Sequence, residues 1–358
     1  MDDVADGDRR APGVALCLQA QRRAVAEPHQ HTSRTGPAVA ARPTLLYNEV
    51  IFVVYQRDVR TMGETLRVGF IGVGDMGGPI AGRIIAAGFP TTLWSRRPQS
   101  LARFADDTYT AAASKAELGA ASDVVGLCVF GDADVLEVTL GAGGVLEGMA
   151  AGSVLLIHST NAAEVSQQVA AEAAKRGIQV LDAPVSGASG GAEAGTLTIM
   201  TGGEQAAFER ALPVMRSYGR LIRLLGPVGS GQRMKVLNNA LTHSTGQLGI
   251  IAIQTGMQLG LDPVAVVDVL RSGSAQSFSL NNLITRLVPD PEFVEHARTM
   301  MTKDVGLYLA VCEQAGLEPT EIHKLATLRA AEPAPQFLAD AIGHTLGAPY
   351  SSVPTPMA

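Results

Sequence analysis

At 358 residues, with 46% hydrophobic and 17% charged side chains, the chain is long enough for two domains, each with its own core. A formal charge of −6 excludes the basic footprint that nucleic acid or an anionic membrane surface would select, and no apolar run approaches the roughly 18 residues of a membrane span. The three cysteines, Cys17, Cys128 and Cys312, are far apart and lack metal-ligand spacing, so they read as reduced thiols of a cytoplasmic protein.

Residues 1–62 mix charge, Gly, Pro, Gln and His without a sustained period and read as a disordered extension. Their acidic start is unlike a signal peptide, which needs a basic start and an apolar centre. From Leu66 the pattern becomes regular. Arg67–Ile71, Thr91–Trp94, Asp123–Val129, Ser153–Ile157, Ile178–Leu181 and Leu197–Met200 are short β-type runs alternating with helical stretches, which predicts βαβ units and a largely parallel sheet. Beyond Gly231 the strands stop. Met234–Leu259, Pro263–Leu270, Phe293–Ala315 and Glu321–Ala331 read as helices, with a frayed tail from about Pro349.

Directly after the first run, Gly72-Val73-Gly74-Asp75-Met76-Gly77 is a G-x-G-x-x-G turn opening a helix. Its glycines permit a tight turn, close approach of a pyrophosphate and close helix–sheet packing, while the helix N-terminus supplies partial positive charge. The second run ends at Ser95-Arg96-Arg97, without the acid that would hold an NAD ribose. A hydroxyl and two guanidiniums suit the 2′-phosphate of NADP instead, NAD being the lesser expectation. The expected fold is thus an α/β Rossmann-type NADP-binding domain over residues 63–228, joined by a long helix to an all-α substrate and oligomerisation domain over residues 229–358.

Two further segments carry chemistry. Asp182 to Thr196 is rich in small residues and reads as a loop whose backbone N–H groups and Ser186 hydroxyl converge on a carboxylate. Gly229 to Asn239 opens the long helix and places Lys235 and Asn239 four residues apart on one face, as a proton-transferring group and an amide to orient its partner.

Together with Lys303-Asp304-Val305-Gly306-Leu307, these segments resemble, in order, the β-hydroxyacid dehydrogenases, the family of 3-hydroxyisobutyrate dehydrogenase and tartronate semialdehyde reductase. The resemblance covers about Arg67 to Ala331. It implies an active site between the two domains, with Ser186 and Gly187 on the substrate carboxylate, Lys235 as acid/base and Asn239 on the substrate. It further implies Lys303 with Asp304 on the cofactor side and Thr160 near the nicotinamide. Ala188 replaces a frequent second glycine, Ile157 a frequent aspartate and Gln254 a common glutamate; His243, two turns beyond Lys235 on a similar face, is within reach of the substrate side chain, the alternative being a packed helical histidine. Substrate choice is left to side chains such as Ala188, His243, Ser277 and Phe278. An imine reductase-like enzyme on the same scaffold and a non-catalytic NADP-binding sensor or scaffold are the alternatives; the first usually lacks such a lysine. The apolar character of the long helix on several faces predicts a homodimer or homotetramer.

Overall fold

The computed structural model describes residues 65–318 and 320–342, so the extension expected over 1–62 and the tail expected from Pro349 lie outside the described residues. Six strands, β1 (Val68–Ile71), β2 (Thr91–Trp94), β3 (Thr110–Ala111), β4 (Val124–Leu127), β5 (Val154–Ile157) and β6 (Gln179–Asp182), form one sheet in the order β3-β2-β1-β4-β5-β6. Every neighbouring pair is parallel, with Val68 opposite Thr91 on one side and Val124 on the other. The order therefore reverses between β1 and β4, and the crevice beyond their carboxyl ends is where a parallel α/β sheet binds its ligand.

Successive strand residues face opposite sides, so Phe70 enters a core with Ile80, Ile84 and Leu93, and Ile71 one with Leu127, Val135 and Val169. Helices α1 (Gly77–Ala86), α2 (Lys115–Ala120), α3 (Asp132–Leu140), α4 (Val145–Gly148) and α5 (Ala163–Ala174) supply the covering faces. With no charged residue in the Val124–Leu127 and Val154–Ile157 runs, both faces of these strands are buried.

A second sheet of β7 (Val185–Ser186), β8 (Leu197–Thr201) and β9 (Gly219–Leu224) follows, β8 antiparallel to β7 and parallel to β9. Here the structure departs from the sequence reading. The supposed loop after Asp182 folds into β7 and a helix, α6 (Ala188–Ala194). Strand β9, following α7 (Gln205–Met215), escaped notice because it is a half-exposed edge carrying Arg220 and Arg223 rather than an apolar run.

The helical part comprises α8 (Ser230–Gln258), α9 (Pro263–Ser272), α10 (Phe278–Asn282), a π-helical turn (Leu283–Leu287), α11 (Pro291–Gln314), α12 (Glu321–Ala331) and α13 (Gln336–Ile342). Its core is built from Ile250, Ile253, Val267, Leu283, Ile284, Leu287 and Leu338. None of the described helices is long and apolar enough to cross a membrane.

Helix α8 starts four residues before the predicted Met234, and Asp182 is the reason. Its buried carboxylate accepts from Gly229 N at 2.7 Å and Gln232 N at 2.8 Å, satisfying two of the donors that a helix start leaves orphaned. Gln232, also buried, donates from Nε2 to Ser159 O at 2.8 Å and Asn161 Oδ1 at 2.9 Å. Only glycine fits at position 231, where a Cβ would lie 2.3 Å from Met200 O. The long helix is thereby bound at its first turn to the ends of β5, β6 and β8.

Two buried groups in this layer titrate with opposite sign. Burial pushes the Asp182 carboxyl up to about 6, against the hydrogen bonds it accepts, so its cost to folding is relieved as pH falls toward its ordinary value near 4. His158, whose Nδ1 lies 2.8 Å from Ala183 O and Nε2 3.1 Å from Tyr218 Oη, is pushed down to about 4 by burial. Its contribution is complete above about pH 6.5 and is lost as pH falls through 4. Asp182→Asn, which turns an NH2 toward a backbone N–H, should cost about 2–3 kcal/mol in denaturant unfolding at pH 7. Between pH 6.5 and 4 the variant should lose stability more steeply than the parent, because the histidine is then unopposed.

Candidate active site

A cleft of about 950 Å³ runs from the glycine turn after β1 to the inner faces of α8 and α11. The residues assigned above to cofactor, substrate or proton transfer line it, Ser277 excepted, although they come from positions 72 to 304.

At the cofactor end, Gly77 has no room for a side chain, since a Cβ would sit 1.8 Å from Gly72 O. Gly74 differs: a Cβ there would meet nothing within 4 Å, so no packing against the protein explains the glycine. A ligand approaching the backbone would, and this open cradle fits a pyrophosphate. Arg103, which sequence reading missed, donates from Nη1 to Val73 O at 3.1 Å and Gly74 O at 3.0 Å and braces the turn from outside. Past β2, Arg96 is tied to Asp134 at 2.8 Å and Glu137 at 3.4 Å, and Asp134 holds its guanidinium above the ordinary arginine range. The exposed Arg97 makes no side-chain hydrogen bond or ion pair with a described residue, and its backbone N–H donates to Ser95 Oγ at 3.3 Å. Cys128 lies beneath the turn, where burial pushes its thiol up to about 12 and disfavours the thiolate.

On the opposite wall, Lys235 is half-buried and makes no hydrogen bond or ion pair with a described residue. Burial lowers its ammonium below the ordinary lysine range, with nearby Asp304 pulling the other way and Lys303 adding to the fall. Asn239 donates from Nδ2 to Asp304 Oδ2 at 2.8 Å and accepts at Oδ1 from Asn238 Nδ2 at 3.1 Å. That oxygen keeps its second lone pair unused among the described residues, and Asn239 lines the cleft. Asn238 Nδ2 also reaches Ser186 Oγ at 3.5 Å, linking α8 to β7. Its position three residues after Lys235 was the available signal, since i and i+3 share a helix face.

Lys303 and Asp304 divide the work of adjacent residues. Lys303 Nζ donates to Phe130 O and Thr160 O, both at 3.0 Å, and thus ties α11 to the loops after β4 and β5. Burial would raise the Asp304 carboxyl, but facing His243 and the charges of Lys303 and Lys235 outweigh it and hold it below the usual range. His243 Nε2 stands 3.9 Å from Asp304 Oδ2, too far for a hydrogen bond, and has no hydrogen-bond partner among the described residues. Ala188, at φ 54°, is the non-glycine residue with positive φ among those described. Its methyl therefore sits beside Ser186 and Gly187 at a backbone cost of roughly 1–2 kcal/mol. Ser277 is used as a cap, accepting from Leu280 N at 3.0 Å, whereas Phe278 reaches the cleft.

Residues 67–226 match the family model described as the NAD binding domain of 6-phosphogluconate dehydrogenase. Residues 229–340 match that of the NAD-binding domain of NADP-dependent 3-hydroxyisobutyrate dehydrogenase. An uncharacterized oxidoreductase of Shewanella frigidimarina is 35% identical over 252 residues, covering 70% of this chain and 86% of the relative. The mitochondrial 3-hydroxyisobutyrate dehydrogenase of Mus musculus is 32% identical over 256 residues, covering 69% and 76%. Among solved structures, a 3-hydroxyisobutyrate dehydrogenase of Salmonella typhimurium superposes with a TM-score of 0.67 at 26% identity, covering 74% of this chain and 93% of that one.

Two substitutions separate packing from binding. Gly74→Ala should leave thermal stability within about 0.5 kcal/mol yet raise the KM for the nicotinamide cofactor on the order of tenfold, because only a ligand meets the new methyl. Ala188→Gly should raise unfolding free energy by about 1 kcal/mol by relieving the left-handed backbone.

Proposed function

Because the chain belongs to the β-hydroxyacid dehydrogenase family and is an NAD(P)-dependent hydroxyacid dehydrogenase, we propose that it reversibly interconverts a small 3-hydroxy acid and its semialdehyde with NADP(H), using Lys235 as acid/base. The observation that carries this reading is Lys235 itself, an unpartnered lysine of lowered pKa facing a cleft whose other wall is the glycine turn.

Bound nicotinamide cofactor supplies or accepts the hydride; the chain's own residues bind, orient and manage the proton. Gly72 to Gly77 and the start of α1 hold the pyrophosphate. Ser95 and Arg97 take the ribose 2′-phosphate, with Arg96 able to leave its exposed ion pairs at little cost. Thr160 sits on the nicotinamide side, its carbonyl fixed by Lys303. Ser186 and Gly187 hold the substrate carboxylate, with the Ala188 methyl setting the width of that pocket. Asn239 Oδ1 accepts from the substrate hydroxyl and so turns its oxygen toward Lys235 Nζ. In reduction the Lys235 ammonium donates to the oxygen as charge builds there; in oxidation the neutral amine removes the proton. Asp304 keeps the pKa from falling too far for the first task.

Lys235 also counts against an imine reductase, a class that usually lacks such a lysine, and against a non-catalytic sensor, which has no use for a proton-transferring ammonium. A homo-oligomer fits the outer face of α8, where Leu237, Leu241, Leu248 and Ile251 are 46%, 51%, 52% and 41% exposed along one stripe.

Lys235→Met should lower kcat by about 10²–10⁴-fold, and retention of full turnover would sink the mechanism. In the parent, kcat/KM for oxidation should rise with pH up to the lowered lysine pKa and for reduction should fall above it; both limbs should vanish in Lys235→Met. NADPH should raise the thermal midpoint more than NADH at equal concentration, and Arg97→Glu should remove that difference.

A further inference from the structure

Several residues of the helical part that the chemistry above leaves unused also line the cleft, among them Phe278, Asn282, Arg286, Phe293, His296 and Met300. Arg286 lies on the π-helical turn Leu283–Leu287, and such turns are uncommon and gather at functional sites. Its guanidinium carbon stands 3.8 Å over the ring of Phe293, a stacking that holds the planar group in one orientation. Although half-buried, its side chain makes no hydrogen bond or ion pair with a described residue. Phe293 in turn packs against His296, ring centroids 5.7 Å apart, and Arg286, Phe293 and His296 all line the cleft.

The pattern on α11 places this cluster relative to the chemistry. Phe293, His296, Met300 and Lys303 recur every three or four residues, so one helix face looks into the cleft. From Lys303 back to His296 is seven residues, an axial distance of about 10 Å. That span leaves room for several carbons between the reacting centre and the cluster. The acids lining the cleft are Asp75, Asp134 and Asp304, of which Asp134 pairs with Arg96 and Asp304 accepts from Asn239. Glu292 and Glu295 lie on the first turns of α11 but do not line the cleft, and Glu295 pairs with Arg298 at 3.3 Å. The cleft thus presents a guanidinium stacked on Phe293 and without an ion pair among the described residues, with the His296 ring against the same phenyl; Asp290, four residues on, does not line the cleft and accepts from Phe293 N at 3.1 Å.

Resting on the oxidoreductase reading above, we propose that Arg286, backed by Phe293 and His296, binds a second carboxylate of the substrate, making it a dicarboxylic hydroxy acid or semialdehyde. A carboxylate suits the site because one planar guanidinium can meet it with two parallel hydrogen bonds. The second carboxylate fixes the substrate from the end opposite Ser186 and Gly187. The reacting carbon is then held from both sides.

The test compares two aldehydes of matched size, 2-formylpentanoate and 2-formylpentanedioate, reduced with NADPH by the full chain. The native protein should favour the diacid by at least tenfold in kcat/KM, mostly through KM, as a charge-assisted hydrogen-bonded pair would give. Arg286→Met should bring the ratio of the two close to one, with Arg286→Lys between. Equal use of both aldehydes by the native protein would overturn the subsite while leaving the dehydrogenase reading intact. Turnover of neither would overturn that reading and the subsite with it. A rise in the KM for NADPH in Arg286→Met, with the diacid preference retained, would assign the arginine to the cofactor instead. Should the variants fail to fold, inhibition of the native protein decides: pentanedioate should inhibit at least tenfold more tightly than pentanoate, and equal inhibition would overturn the proposal.

Discussion

The site depends on one buried contact, the Asp182 carboxylate seated on the first turn of α8. A charged group with no exposure to solvent is costly unless its oxygens are satisfied, and here two backbone N–H groups of a helix start do so. The contact fixes both the axial position and the rotation of the helix relative to the strand ends. Lys235 lies three residues beyond Gln232, within one turn of this anchor, and so inherits its precision. Had the helix begun at Met234, as its apolar pattern alone suggested, the lysine would sit on a fraying first turn.

Lys303 makes a second tie at the other side of the cleft, spending its donors on two backbone carbonyls of the dinucleotide-binding half. Its charge is nevertheless felt by Lys235 and Asp304, so a brace also shapes the titration of both. Asp304 completes the balance. It accepts from and so holds the Asn239 amide, and through its charge it limits how far burial depresses the lysine. Ala188 shows the same coupling of strain and site, because a left-handed alanine persists only where β7 and α6 hold the backbone on both sides.

Much of this was legible in order of residues. The strand runs of the parallel sheet were plain because strands buried on both faces are continuous apolar stretches, and the G-x-G-x-x-G turn followed the first of them. Lys235 and Asn239 could be paired because helical spacing is a local property. Missing were β9, whose arginines mask its period, and the helix α6 hidden in a run of small residues. Gln232 and Arg103 were also silent, since each acts through backbone atoms remote in sequence and carries no motif.

By itself the order of residues determined the class of fold, the glycine turn after the first strand and the pairing of Lys235 with Asn239 on one helix face. Each of these follows from local periodicity or from a short motif with its own geometry. Folding in three dimensions determined which of the two arginines after β2 is free, which amide touches Ser186, and that Arg286 and His296 share a cleft with Lys235. Those facts depend on distances between residues far apart along the chain, set by where the two cores dock and how a buried carboxylate aims a helix.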